Sequence, residues 1–204
     1  MIERALARLA RIIAGTSVRF TVPLDPPERQ RVYFGNHTSH LDFVLIWSAL
    51  PAEARARTRP VAGADYWMRG RVRRYLATHV FHAVVIERGA HAAPATARHS
   101  VETIAAAMGD DASIIVFPEG TRSLDGNLLP FKSGLYHLCQ RKPGLELVPV
   151  YLDNLARILP KGEVLPVPLL SRVTFGAPQR METDEGKREF LTRMRDALAT
   201  LREG

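Results

Sequence analysis

VYFGNHTSHLDFVLIWSAL, residues 32–50, places a polar stretch between two apolar runs. Val32, Tyr33 and Phe34 precede it, and Phe43, Val44, Leu45, Ile46 and Trp47 follow. Asn36, His37, Thr38, Ser39, His40 and Asp42 lie between them. The first run reads as a short strand, Arg31 to Phe34, and the second as a buried helix, Phe43 to Leu50, ended by Pro51. A loop with two imidazoles and a carboxylate, leaving a strand and entering a helix, sits where α/β folds place their chemistry.

The same alternation continues outward. Tyr66 to Ala77 reads as a helix mixing aromatic and basic residues, Ala83 to Glu87 as a strand, and Ala92 to Met108 as a helix closed by Gly109. SIIVF, Ser113 to Phe117, is a strand, Gly134 to Arg141 a helix, Glu146 to Tyr151 a strand, and Val173 to Gly176 a late strand at a sheet edge. The last helix takes Thr183 as N-cap and Asp184 and Glu185 in its first turn, with Phe190, Met194, Leu198 and Leu201 on one face. This pattern predicts a single α/β domain, a mostly parallel or mixed central sheet flanked by helices.

At the N-terminus, Ile2, Leu6, Leu9 and Ile13 recur at helical spacing while Arg4, Arg8 and Arg11 line another face. Such a helix packs on the domain surface or lies in a membrane interface with its arginines on anionic head groups. The chain thus divides into an amphipathic segment, 1–20, and a main unit, 21–204. A chain of 204 residues with 46% hydrophobic content buries a full core. Its apolar runs fall far short of the roughly 20 residues that span a bilayer. No secretory signal is readable and Cys139 stands alone, so the expectation is a cytoplasmic protein held peripherally on the inner face of the cell membrane. The net charge of +7 favours anionic partners: nucleic acid, anionic lipid or a phosphorylated substrate. Only four of the 28 basic residues are lysines, so the charge can reflect an arginine-rich composition as much as a partner.

The polar stretch carries a definite chemistry. Ser39 and Asp42 fit a helix-start box, with Asp42 in the first turn and His37 in the loop before it. If the loop turns His37 toward Asp42, the carboxylate holds one ring nitrogen and leaves the other as a base. No G-x-S-x-G elbow supplies a nucleophile, so such a base acts on a hydroxyl of the substrate. A helix-capping role for Asp42 is the plainer reading. A metal site of His37, His40 and Asp42 lacks the H-E-x-x-H pattern, and no metal is expected.

A second motif, FPEGTRS, spans Phe117 to Ser123 directly after the SIIVF strand. A strand running into a glycine turn presents backbone N–H groups to an anion, and Arg122 adds a planar fork suited to phosphate. Lys132, in FKSG, opens the next helix with a further cation.

Together these motifs resemble the family of glycerolipid acyltransferases that acylate lysophosphatidic acid. N-H-x-x-x-x-D is intact from Asn36-His37 to Asp42, F-P-E-G-T-R-S is intact, and Val148-Pro149-Val150 matches the family's central Val-Pro strand. In VVIERG, Arg88 falls in place, while Glu87 stands where the family usually has Asp. The resemblance implies acyl transfer from a thioester, on coenzyme A or acyl carrier protein, to a lysophospholipid hydroxyl at an anionic membrane surface. It implies no cofactor and no nucleic acid. His37 and Asp42 would be the catalytic pair. Arg88, Glu119, Gly120, Thr121, Arg122 and Lys132 would bind the substrate, and backbone N–H groups near Glu119 to Thr121 or in the His37 loop would hold the oxyanion. Acceptors such as glycerol 3-phosphate, another lysophospholipid or a lyso-aminolipid remain open. A non-enzymatic basic module that binds nucleic acid or anionic membrane is the alternative class.

Overall fold

The computed structural model describes residues 2–13, 15–24, 29–39, 42–87, 94–153 and 171–202. In chain order the helices are α1 (Ile2–Ile13), α2 (Asp42–Ala49), α3 (Ala52–Ala56), α4 (Ala64–Trp67), α5 (Arg71–Tyr75), α6 (Pro94–Met108), α7 (Gly134–Arg141) and α8 (Lys187–Thr200). The strands are β1 (Thr16–Phe20), β2 (Arg31–Gly35), β3 (Thr58–Gly63), β4 (Val84–Ile86), β5 (Ser113–Val116), β6 (Glu146–Asp153) and β7 (Ser171–Phe175). Among the described residues they form one seven-stranded sheet in the order β1-β7-β6-β2-β5-β3-β4. The five strands from β6 to β4 run parallel. The β6–β7 pairing is antiparallel, and β1 lies parallel to β7.

Two apolar layers enclose the sheet, and the alternation of side chains along each strand assigns residues to them. Tyr33, Ile115, Val148, Val150, Val173 and Phe175 face α1 and α2. Val32, Phe34, Ile114 and Leu147 face α6, α7 and α8, against Val101, Met108, Leu138, Phe190 and Met194. Every residue of α2 is buried, because the sheet covers one side and α1 the other. A short helix apolar all round is stable only in such a sandwich.

Several expectations shift. Thr16–Phe20 and Thr58–Gly63 are strands that the sequence pattern did not reveal. In β3 the ladder to β5 covers Thr58–Pro60 and the ladder to β4 begins at Val61, so Pro60 needs no N–H toward β4. The late strand is internal, flanked by β6 and β1. The expected helix over 66–77 is broken into α4, α5 and a π-turn at Leu76–Val80, because Gly70 adopts φ +84°, a conformation that ends a helix. The last helix begins after Gly186, and Asp184 at φ +59° lies in the turn before it. Within the first 20 residues, β1 pairs in register with β7 along its whole length, and α1 packs on α2.

The carboxyl ends of three neighbouring strands, β2, β5 and β3, deliver the polar loops to one edge of the sheet. Gly35, the last residue of β2, lies under this edge. A Cβ there would meet the Val150 carbonyl oxygen at 2.9 Å and Ile46 Cδ1 at 3.3 Å. Backbone in a central ladder cannot yield, so Gly35→Ala should destabilise the fold by about 1–3 kcal/mol, read as a lower urea midpoint with unchanged slope.

Candidate active site

Asn36 leaves β2 and ties the start of the loop to β6. Its Nδ2 donates to the Leu152 carbonyl at 2.9 Å, and its Oδ1 accepts the Leu152 N–H at 2.8 Å. The side chain thereby extends the β2–β6 ladder by one rung and sets the direction in which His37 emerges. Thr38 and Ser39 then turn back over the start of α2. Their N–H groups both donate to Asp42 Oδ2, at 2.6 and 2.8 Å. The same oxygen lies 2.8 Å from His37 Nδ1. Asp42 is fully buried and His37 7% exposed. With Nδ1–H donating to the carboxylate, the imidazole keeps its lone pair on Nε2. The His37 ring also stacks on Phe117, centroids 4.3 Å apart and planes 14° from parallel, which fixes its plane. The His–Asp pair expected from the sequence is formed. Asp42 also closes the loop, so the capping and the orienting roles belong to one carboxylate.

Glu119 joins the two motifs. Its Oε1 accepts the His37 N–H at 3.0 Å and its Oε2 the Leu129 N–H at 3.2 Å. The Ser123 N–H returns to the His37 carbonyl at 2.7 Å. Burial raises the Glu119 carboxyl above its ordinary range, and the two N–H groups pull it back toward the ionised form. Glu119 is 2% exposed and is not among the residues that line the cleft. Beyond it, Asp125 holds the next turn through Ser123 Oγ and the Asn127 backbone and amide, and these bonds lower its carboxyl to about 2.

The cleft has a volume of about 450 Å³. His37, Phe117, Gly120, Thr121, Arg122 and Lys132 line it together with Asp65, Tyr66 and Trp67 of α4. Gly120 has φ +68°, and a Cβ there would strike Lys132 Cδ at 2.8 Å and Nζ at 2.9 Å, so the glycine lets the lysine lie across the turn. Neither Arg122 nor Lys132 has an ion-pair partner among the described residues. Of the candidate oxyanion donors, the N–H groups of His37, Thr38, Ser39 and Gly120 are already committed within the fold. The N–H of Thr121 has no partner among the described residues and belongs to a residue lining the cleft. Arg88 and His40 lie outside the described residues. A second, apolar hollow of about 460 Å³ shares Val61, Phe117, Gly120 and Lys132 with the cleft and runs between α6 and α7, past Val101, Ile104, Leu135 and Leu138.

Sequence reasoning missed Asn36 and Phe117 as site residues and did not find Asp65. Asn36 and Phe117 were inside the quoted motifs, but nothing in a spacing reveals which strand an amide will bridge or which ring an imidazole will cover. Cys139 sits in the core, and burial pushes its thiol up to about 12. It should resist alkylation by iodoacetamide in the native protein and react only after unfolding, as read by mass spectrometry. Replacing Glu119 with Gln sets an amide N–H₂ against a backbone N–H. It should cost about 1–3 kcal/mol in stability, measured by denaturant unfolding.

A sequence model described as Acyltransferase matches residues 18–153. A 1-acyl-sn-glycerol-3-phosphate acyltransferase of Limnanthes douglasii is 33% identical over 151 residues, covering 70% of this chain and 48% of the plant protein. The human 1-acyl-sn-glycerol-3-phosphate acyltransferase alpha is 30% identical over 130 residues, covering 63% of this chain and 42% of its own. This chain thus spans about half the length of the curated relatives it matches. The crystal structure of the 1-acyl-sn-glycerophosphate (LPA) acyltransferase PlsC from Thermotoga maritima superposes with a TM-score of 0.75 at 20% identity, over 99% of this chain and 78% of that one, and shows the shared fold. With the family model covering well over half of the chain and both signature motifs meeting in one cleft, the protein belongs to the acyltransferase family.

Proposed function

We propose that this protein transfers a fatty acyl group from an acyl thioester to the free hydroxyl of 1-acylglycerol 3-phosphate, giving phosphatidic acid. The observation that supports this most is the buried His37–Asp42 pair beside a cleft lined by Arg122 and Lys132, neither of which has an ion-pair partner among the described residues. The relatives' names point the same way.

The acceptor phosphate binds Arg122 and Lys132, with Arg88 added on the strength of its motif alone. Gly120 and Thr121 shape the turn against which the head group lies. His37 Nε2 takes the proton of the acceptor hydroxyl as its oxygen attacks the thioester carbonyl. Asp42 keeps the ring in the tautomer that can do so and stabilises the imidazolium that results. The Thr121 N–H donates to the oxyanion of the tetrahedral intermediate. Collapse breaks the C–S bond, and the proton held by His37 leaves with the thiolate. The acyl chain lies in the apolar hollow between α6 and α7, which meets the cleft beside Phe117. The donor is acyl coenzyme A or acyl carrier protein, and the reaction takes place at an anionic membrane surface. No described helix is long and apolar enough to cross a membrane.

One observation favours a second acceptor. Asp65 adds a carboxylate to the lining that holds the two cations and has no ion-pair partner among the described residues. A lysolipid carrying an amine as well as an anion would satisfy both signs of charge.

The test is free thiol release from long-chain acyl-CoA, or from acyl carrier protein, with lysophosphatidic acid as acceptor. Release should require the acceptor and fall by about 10²–10⁴-fold in a folded His37→Ala variant. Arg122→Ala should raise the acceptor KM with a smaller change in kcat. Release that survives His37→Ala would overturn the mechanism. A preference for amine-bearing lysolipids, reversed in Asp65→Asn, would move the assignment to the second acceptor.

A further inference from the structure

Among the described residues, the large apolar side chains that remain exposed fall into two groups. Leu9, Ile12 and Phe20 belong to α1 and β1. Val72, 72% exposed, and Tyr75, 55% exposed, stand three residues apart on one face of α5. Leu124, 78% exposed, follows Ser123 and the cleft-lining Arg122 along the chain.

The second group follows, along the chain, residues that line the cleft. α4 supplies Asp65, Tyr66 and Trp67 to the cleft wall, and α5 follows after Gly70. The Arg73 guanidinium lies 4.6 Å above the Tyr66 ring, so α5 is fastened to that wall. The first group is remote. The outer part of α1, at Ala7, Arg8 and Arg11, faces Ala49 to Ala52, which is the end of α2 away from Asp42. One α2 length, roughly 12 Å, separates that end from the catalytic pair.

The charge around α5 has a single sign. Arg69, Arg71, Arg73 and Arg74 fall within six residues, and no Asp or Glu occurs from Tyr66 to Ile86. None of the four has an ion-pair partner among the described residues. Two exposed apolar side chains set among unpaired arginines match a surface that is anionic at its head groups and apolar beneath them. A folded protein partner with acidic residues would satisfy the arginines. The isolated Val72, Tyr75 and Leu124 tips, each a few residues along the chain from one that lines the cleft, fit a lipid interface better.

We infer that α5, with Leu124, is the face that docks on an anionic bilayer, so that the cleft opens directly onto the lipid surface. Val72, Tyr75 and Leu124 enter the acyl boundary, and Arg69, Arg71 and Arg74 bind head groups. A lysolipid then reaches His37 without crossing water. That last step rests on the proposed acyltransferase activity, whereas the docking itself does not.

The experiment is co-sedimentation of the full chain with phosphatidylcholine vesicles with and without phosphatidylglycerol. Each arginine near an anionic surface strengthens binding by about fivefold. Arg71→Gln with Arg74→Gln should therefore weaken partition onto the anionic vesicles by on the order of 25-fold. Val72→Ser with Tyr75→Ser should remove the binding that persists at high salt. Both variants should keep wild-type unfolding midpoints, and thiol release with water-soluble short-chain donor and acceptor should be unchanged. Wild-type vesicle binding in both double variants would overturn the inference. So would loss of binding in Leu9→Ser with Ile12→Ser instead, which would assign docking to α1. Loss of transfer from acyl carrier protein with vesicle binding intact would make α5 a protein interface, also against the inference. Because sedimentation needs no turnover, α5-dependent binding by a protein inactive on lysophosphatidic acid would sink the activity and leave the docking face standing.

Discussion

The site depends on one buried carboxylate, that of Glu119. It receives an N–H from the His37 loop on one oxygen and an N–H from Leu129 on the other. Loops leaving β2 and β5 have no ladder of their own to hold them, and buried backbone N–H groups need acceptors. Glu119 meets both needs with a single side chain. Its burial raises its carboxyl above the ordinary range, and the two donors offset part of that rise. The Ser123 N–H on the His37 carbonyl closes the same junction from the other side. His37 is thus positioned by residues set behind the cleft, and each bond draws on a group from a different part of the chain.

Arrangement of charge follows a similar division of labour. Many arginines are part of the framework. Arg31 and Arg180 share Glu146, Arg193 binds Glu185 and Gln179, and Arg55 caps carbonyls at Ser48 and Leu50 while lying over Trp47. Arg195 reaches the Leu128 carbonyl, next to the Leu129 N–H that Glu119 holds. Arg122 and Lys132 at the cleft and Arg69, Arg71, Arg73 and Arg74 on and beside α5 have no ion-pair partner among the described residues. A net charge of +7 thus says little by itself, because arginine is suited both to planar hydrogen bonding inside a fold and to phosphate outside it.

The sheet explains why one edge collects the chemistry. β2, β5 and β3 are adjacent and parallel, so their carboxyl ends point the same way. The loop after each reaches the common mouth: His37 after β2, the FPEGTR turn after β5 and Asp65 after β3. β6 contributes from beneath, where Leu152 receives the Asn36 amide. The reversed pair β7 and β1 widens the layer under α1 and α2 and takes no part in the cleft.

Much of this was readable in the chain itself. Hydrophobic periodicity located β2, α2, β5, α7 and β6 within a residue or two, because each buries a regular stripe against the core. The two polar motifs named His37, Asp42, Arg122 and Lys132, because these residue types at these spacings suit proton transfer and phosphate binding. What sequence concealed was of another kind. β1 has a half-exposed pattern and β3 carries Pro60, so neither shows strand periodicity, and only the neighbours β7, β5 and β4 make them strands. The helix over 66–77 had no internal sign of the φ that Gly70 adopts. Glu119 looks like a substrate ligand in a linear motif, and it becomes a brace only when Leu129 and His37 approach from opposite sides. Local pattern determines which residues can do chemistry. Which of them face the cleft and which stand behind it was decided by contacts between residues far apart in the chain, and these exist only after the sheet has assembled.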